Sequence, residues 1–121
     1  MTKHKILYLD DETINLLVFE QIFKTRFEVL TAENSKVAMN YLEENNDIAF
    51  FIADMEMPDI QGTEFIKKVK TTYPELPCAV LTAYNLTDEI VQALESQQIV
   101  KHFNKPLDRD IITTTILKSL S

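Results

Sequence analysis

The chain of 121 residues has one cysteine, one glycine and no long apolar run. A single cysteine, Cys78, excludes an internal disulfide and a cysteine-rich metal site, and it suits a reducing cytosol. No run approaches transmembrane length, and the first residues, MTKHKILYLDDE, lack the pattern of a signal peptide. We therefore expect a cytoplasmic chain without a membrane segment, in which Cys78 is a buried, unreactive thiol.

The chain also has fewer basic than acidic residues. The chain has 12 Lys and Arg against 19 Asp and Glu, a formal net charge of -7. Phosphate backbones and anionic lipid repel such a chain, so we predict no direct binding to nucleic acid or membranes. Apolar content of 45% and charged content of 26% are typical of a folded domain, and the length predicts a single one over residues 1–121.

Strand-like and helix-like segments alternate along the chain. Apolar runs predict strands over residues 6–9, 27–31, 48–53, 78–83 and 99–103, and helical periodicity predicts helices over residues 13–25, 34–44, 63–73, 86–97 and 108–120. This order predicts an α/β fold of the doubly wound (βα)5 type, with a parallel sheet, right-handed crossovers and helices on both faces.

Particular residues support these helices. In the first helix the apolar spacing predicts a core-facing stripe of Ile14, Leu17, Val18 and Ile22. Asn34 or Ser35 is the expected N-cap of the second helix, and Asp108 of the fifth.

Most of the predicted strands end in residues suited to chemistry. Asp10 and Asp11 follow the first strand, Asp54 the third, Thr82 lies at the end of the fourth, and Lys105 follows the fifth. Each alone is an ordinary turn, cap or surface residue, but the C-terminal ends of parallel strands share one edge of the sheet. Three carboxylates there would repel one another unless a hard cation such as Mg2+ joined them. A carboxylate can then accept a phosphoryl group, with the hydroxyl and the ammonium contacting its oxygens.

Four short motifs carry a family resemblance: LDDE (9–12), ADMEMPDIQG (53–62), LTA (81–83) and NKP (104–106). With them the chain resembles, over essentially its whole length, the receiver domain of two-component response regulators. The resemblance implies a flavodoxin-like sheet of strand order 2-1-3-4-5. It also implies a phosphorelay switch that receives its phosphoryl group from a sensor histidine kinase or a phosphotransfer protein, and that is not an enzyme beyond assisting its own phosphorylation and dephosphorylation.

The resemblance also implies the site. Asp54 is the expected phosphoacceptor and Mg2+ the expected cofactor. The other implied roles are Asp11 as a direct Mg2+ ligand, Asp10 as a ligand through water, Asp54 and the backbone carbonyl of Glu56 as further ligands, and Thr82 and Lys105 as contacts of the phosphoryl oxygens. A cis Lys105–Pro106 peptide bond is implied as well.

Two departures from the family pattern concern switching. The family usually has Tyr or Phe at the position of His102, whose neighbour is Phe103. His102 is simply exposed, or one of the two side chains acts as the switch, or the output surface differs. Glu56 and Tyr84 border the path of the hydrolytic water in the family, and we expect them to tune the lifetime of the phosphoryl group.

The resemblance places output binding, to another domain or a downstream protein, on the face of the fourth helix, fifth strand and fifth helix. The kinase, the signal, the output and dimerisation are left open by the sequence, as is membership of a longer regulator or hybrid kinase. No output domain is expected within residues 1–121.

Three other functions compete with this interpretation. A phospho-aspartyl phosphatase of the haloacid dehalogenase type needs a DxD pattern after the first strand, which Asp10, Asp11 and Glu12 do not form. A flavodoxin-like cofactor protein needs a phosphate loop rich in Gly, Ser or Thr at the same place. A degenerate receiver, which binds partners without phosphorylation, is the principal alternative.

Overall fold

A five-stranded parallel sheet with helices on both faces forms the domain. The computed structural model describes residues 3–84 and 86–121. The elements are β1 (Lys5–Leu9), α1 (Thr13–Phe23), β2 (Glu28–Ala32), α2 (Ser35–Glu44), β3 (Ile48–Asp54), α3 (Gly62–Thr72), β4 (Cys78–Thr82), α4 (Asp88–Glu95), β5 (Lys101–Asn104) and α5 (Arg109–Ser119). The strand order is β2-β1-β3-β4-β5, which confirms the predicted fold class. None of the helices described is long and apolar enough to cross a membrane.

The central strand β3 explains why the chain contains the apolar run FFIA. All four side chains are fully buried, because helices cover both faces of the sheet. Phe51 and Ala53 pack with residues of α2, α3 and α4. Phe50 and Ile52 pack on the opposite face with residues of α1 and α5. Alternation along the strand therefore serves two cores, and it brings Asp54 to the end of a rigid element.

Side-chain caps mark where three helices begin. The Asn34 side chain accepts a hydrogen bond from the amide of Val37 at 2.9 Å, and Asp108 accepts one from Ile111 at 3.0 Å, as predicted. Thr87 plays the same part for α4, which the sequence had not indicated. That cap places the start of α4 two residues later than the predicted start at residue 86.

The core-facing side of α1 differs from the prediction. The buried side chains of this helix are Leu16, Phe19 and Phe23. Of the four residues expected there, only Ile22 is half-buried, and the other three are exposed: Ile14 at 72%, Leu17 at 55% and Val18 at 45%.

Aromatic packing decides which side of α1 faces the sheet. The helix is apolar on two sides, so its periodicity alone cannot choose between them. Phe19 stacks on Tyr8 of β1 with ring centroids 4.2 Å apart, and Phe23 follows at 4.5 Å from Phe19. Aromatic rings bury more area than the aliphatic side chains of the other stripe, so this orientation gains more from leaving water.

Burial also settles the chemistry of Cys78. The residue is fully buried in β4, and this burial raises the pKa of its thiol to about 12. The thiol is therefore protonated at neutral pH and unreactive, as the sequence predicted.

Truncating the two sides of α1 should have very different effects on stability. We expect Phe19→Ala to lower the free energy of unfolding by about 3–5 kcal/mol, because it leaves a cavity in a packed core. The matched variant Ile14→Ala should change it by less than about 0.5 kcal/mol, since its side chain is exposed. Urea denaturation followed by circular dichroism measures both, and equal losses would contradict the observed orientation of α1.

Candidate functional site

The polar residues predicted to converge do so at the C-terminal edge of the sheet. Asp10 directly follows β1, Asp54 ends β3, and Thr82 ends β4. Asp10, Asp11 and Asp54 each offer one carboxylate oxygen, and these three oxygens lie within 4.8 Å of one another. Asp10, Asp54 and Thr82 are almost fully buried, whereas Asp11 is exposed.

Asp10 is held by donors from three directions. Its carboxylate accepts hydrogen bonds from the Tyr8 hydroxyl at 2.5 Å, the Asn15 side-chain amide at 3.2 Å and the backbone amide of Glu12 at 2.9 Å. Burial and the neighbouring Asp10 carboxylate raise the pKa of the Tyr8 hydroxyl, so it stays a donor.

Tyr8 and Asn15 were not predicted as site residues. Tyr8 carried a signal, because residues two apart in a strand point to the same side. The sequence contained no such signal for Asn15, since its contact with Asp10 depends on the direction in which α1 follows the loop.

Lys105 supplies the positive charge of the site. Its Nζ lies 3.3 Å from an Asp54 oxygen and 3.7 Å from an Asp10 oxygen. Burial lowers the pKa of Lys105, but the charges of Asp54 and Asp10 outweigh it and raise the pKa above its ordinary value. The side chain is therefore a cation at neutral pH.

The Lys105–Pro106 peptide bond is cis, and the Lys105 amide donates to the Thr82 carbonyl at 2.8 Å.

Asp54 lies in an electrostatic environment that disfavours its negative charge. It is 2% exposed, and its pKa is raised to about 6, mainly by burial and then by the charge of Asp10. Lys105 and a 3.3 Å hydrogen bond from the Glu56 amide oppose that rise. Asp54 is thus mostly ionised at pH 7 yet carries an uncompensated cost of charge burial.

The three carboxylates fit a magnesium ion. One ammonium cannot balance three negative charges, so the site keeps a net negative charge that a divalent cation would neutralise. Mg2+ prefers oxygen ligands at bonds of about 2.0–2.1 Å, which places ligand oxygens roughly 3–4 Å apart. Oxygens that lie within 4.8 Å of one another need only small side-chain adjustments to reach that spacing.

A hydrogen-bond chain joins the third and fourth strands beside Asp54. The Thr82 hydroxyl donates to one Glu56 oxygen at 2.6 Å, and the Ala83 amide donates to the other at 3.3 Å. The Tyr84 amide in turn donates to the Thr82 hydroxyl oxygen at 3.1 Å. The Tyr84 side chain is 67% exposed. The sequence placed Glu56 and Tyr84 near the site but indicated none of these contacts.

The residues of β5 separate to opposite faces. Phe103 is 4% exposed and packs in the core between the sheet, α1 and α5. His102 pairs in register with Val80, whose side chain packs on the α2–α4 side. His102 therefore lies on the side of the sheet that α4 covers, where it is half-buried and not fully exposed.

The only glycine positions the segment after Asp54. A Cβ atom at Gly62 would meet the Asp54 carbonyl oxygen at 2.5 Å, too close for any other residue without movement. The Gly62 amide donates to the Met55 carbonyl at 3.0 Å. Glycine thus lets the start of α3 pack directly on the backbone that carries Asp54.

Comparison with known proteins agrees with this fold. Residues 6–117 match the response regulator receiver domain. Sporulation initiation phosphotransferase F of Bacillus subtilis (strain 168) is 30% identical over 122 residues, covering 99% of this chain and 96% of that protein. A response regulator receiver domain protein from Clostridium thermocellum has a crystal structure with a TM-score of 0.88 at 27% identity, covering 95% of this chain and 92% of that one. The chain belongs to the response regulator receiver domain family.

Some relatives are much longer. The transcriptional regulatory protein ZraR of Klebsiella oxytoca is 28% identical over 117 residues, which are 96% of this chain but 26% of that protein. The chain spans about a quarter of the length of such regulators. As a receiver domain, it belongs to a class of switches for phosphorylation-based signalling.

The raised pKa of Asp54 predicts how Asp54→Asn changes stability with pH. Because the folded pKa of about 6 exceeds the unfolded value of 3.8, Asp54 favours folding most below pH 3.8, and this contribution is lost as pH rises through 6. In metal-free buffer we expect Asp54→Asn to be more stable than the wild type by about 2 kcal/mol at pH 7.5. The difference should disappear towards pH 4.

Urea denaturation at each pH measures this difference. Asp59→Asn, which neutralises an exposed carboxylate in the same loop, serves as the control and should show no such trend. A constant difference between pH 4 and 7.5 for Asp54→Asn would contradict the raised pKa.

Proposed function

We propose that this chain is a phosphorelay switch in the cytoplasm that accepts a phosphoryl group on Asp54, with Mg2+, from a sensor histidine kinase or phosphotransfer protein. The observation that carries the proposal is the buried Asp54 carboxylate, 3.3 Å from the Lys105 ammonium and grouped with the Asp10 and Asp11 oxygens. Membership of the receiver family supports it.

In the transfer, an ionised Asp54 oxygen forms a bond to phosphorus while the bond from phosphorus to the donor's histidine nitrogen breaks. The nitrogen keeps the electron pair of that bond. A pKa of about 6 leaves Asp54 mostly ionised at neutral pH, as a nucleophile must be. We expect Lys105, which pairs with Asp54, to contact the phosphoryl oxygens, and the Thr82 hydroxyl to donate to them.

Magnesium, when bound, neutralises charge on the carboxylates and on the phosphoryl oxygens. Its proposed ligands are Asp11 directly, Asp10 through water, Asp54, and the backbone carbonyl of Glu56. The tight hydrogen bonding of Asp10 supports its place as the outer ligand, because its oxygens already accept from three donors. Asp11, which is exposed, is free of that constraint.

The apolar outer face of α1 is the proposed docking surface for the phosphoryl donor. This face consists of Ile14, Leu17 and Val18, all exposed, on the helix that follows Asp10 and Asp11. Contiguous exposed apolar side chains mark interaction sites. A donor seated there would lie next to Asp54 without covering the α4–β5–α5 face.

The α4–β5–α5 face is the proposed output surface. Val91, Val100 and Ile111 are exposed there, and His102 is half-buried beneath it. Phosphorylation would replace the single negative charge of Asp54 with roughly -1.5 to -2 charges at the edge where β4 and β5 end. The output itself would come from a partner or a further domain, and a homodimer through this face is a second use of the same surface. Glu56 and Tyr84 are proposed to tune the lifetime of the phosphoryl group.

Phosphorylation of Asp54 can be tested directly by intact mass spectrometry after incubation with acetyl phosphate. We expect one added phosphoryl group on the wild type in the presence of Mg2+, and none with EDTA or in Asp54→Asn. Asp59→Asn is the matched control and should be labelled like the wild type. No adduct on the wild type, together with no Mg2+-dependent binding of beryllofluoride, would instead identify a degenerate receiver that binds partners without phosphorylation.

The proposed docking surface on α1 predicts a variant that is slow in phosphoryl transfer from a kinase but normal in labelling by acetyl phosphate. Ile14→Ser should slow transfer about tenfold from any phosphorylated histidine kinase that labels the wild type, because interface anchors commonly contribute more than 1 kcal/mol. Labelling by acetyl phosphate should be unchanged. Ile111→Ser, on the output face, is the control and should leave both rates unchanged. Equal effects of the two variants on transfer would refute the assignment of α1.

A further inference from the structure

We propose that the Glu56 carboxylate is an internal latch: it holds the Thr82 hydroxyl in the resting state and must release it when Asp54 is phosphorylated. The inference rests on the proposed function of Asp54. It assigns Glu56 a role in forming the active state, separate from any effect on the lifetime of the phosphoryl group.

The first step concerns the single proton of the Thr82 hydroxyl. An ionised carboxylate only accepts hydrogen bonds, so in the 2.6 Å contact with Glu56 the hydroxyl is the donor. A hydroxyl has one proton to donate. Thr82 therefore cannot donate to a phosphoryl oxygen while it donates to Glu56. Since Thr82 is fully buried, solvent offers no alternative acceptor.

The second step concerns the turn that follows β4. The same carboxylate accepts from the Ala83 amide at 3.3 Å, and the Tyr84 amide donates back to the Thr82 hydroxyl oxygen at 3.1 Å. Three successive residues are thus connected to one anion. Release of Thr82 would change the partners of the whole turn, which leads into α4 of the proposed output face.

The third step concerns charge. The Glu56 amide donates to Asp54 at 3.3 Å, so this residue bridges the phosphoacceptor and Thr82. Phosphorylation would replace the single negative charge of Asp54 with roughly -1.5 to -2 charges next to the Glu56 carboxylate, and the phosphoryl oxygens would compete for the same proton. Like charges repel, so phosphorylation favours displacement of the Glu56 side chain. Conversely, the resting Glu56–Thr82 bond opposes phosphorylation.

The test is the affinity for beryllofluoride, a phosphoryl analogue, measured calorimetrically with Mg2+ present. We expect Glu56→Ala to bind on the order of tenfold more tightly than the wild type, because a charge-assisted hydrogen bond no longer has to be broken. Glu56→Gln keeps the side-chain volume and a neutral acceptor, so it should show a smaller gain. Asp59→Asn removes an exposed charge elsewhere in the loop after β3 and should bind like the wild type.

A double-mutant cycle separates the latch from simple charge repulsion. In a Thr82→Val background no hydroxyl remains to be released, so Glu56→Ala should improve affinity by less than about threefold. The same tenfold gain in both backgrounds would show that Glu56 acts only through its charge, and the latch would be wrong.

Hydrogen exchange tests the resting state without any analogue. Amide exchange of Ala83 and Tyr84, followed by NMR in metal-free buffer, should be at least about tenfold faster in Glu56→Ala than in Asp59→Asn, since the anchor of the turn is lost. Unchanged exchange would overturn the latch. If the wild type and Glu56→Ala bind beryllofluoride with the same affinity, the latch is overturned but the proposed function stands. If neither protein binds the analogue, both proposals fail.

Discussion

The structure depends on burying two carboxylates beside one ammonium at the edge of the sheet. Asp10 and Asp54 lie almost out of contact with water, and Lys105 approaches both. Three hydrogen-bond donors stabilise the charge of Asp10, whereas Asp54 has one amide and a share of Lys105. The remaining imbalance raises the pKa of Asp54. A buried group that is costly to keep charged gains most from a nearby cation.

The rest of the domain holds these buried charges at fixed positions at one edge of the sheet. β3 is buried on both faces, so Asp54 ends the central strand of the sheet. Gly62 lets α3 start against the Asp54 backbone, and the Lys105 amide ties its loop to the end of β4. Rigid elements thus hold the carboxylates and the ammonium together in spite of their repulsion. Sites built on such supports keep their geometry more closely than sites on free loops.

The Glu56 side chain connects this group of charges to the next part of the chain. Glu56 is half-buried and joins Asp54 to the turn after β4 through Thr82. If the Thr82 hydroxyl exchanged the Glu56 carboxylate for a phosphoryl group on Asp54, the added charge at Asp54 would change the backbone of the turn after β4. Glu56 is hydrogen-bonded to both residues that such an exchange would involve. The apolar side chains of Ile14, Leu17 and Val18 on α1 are meanwhile exposed.

The order of strands and helices was predictable from the sequence, because periodicity and the parallel crossover rule are local signals. The chain also identified Asp54, Thr82 and Lys105 as site candidates, since strand ends of a parallel sheet must meet. Only the tertiary structure decided which side of α1 is buried, because two apolar stripes compete and Tyr8 selects the aromatic one. The Glu56–Thr82 bond likewise joins residues 26 positions apart, whose contact depends on the register of β3 and β4. Periodicity describes one element at a time, whereas such contacts are set by how two elements pack.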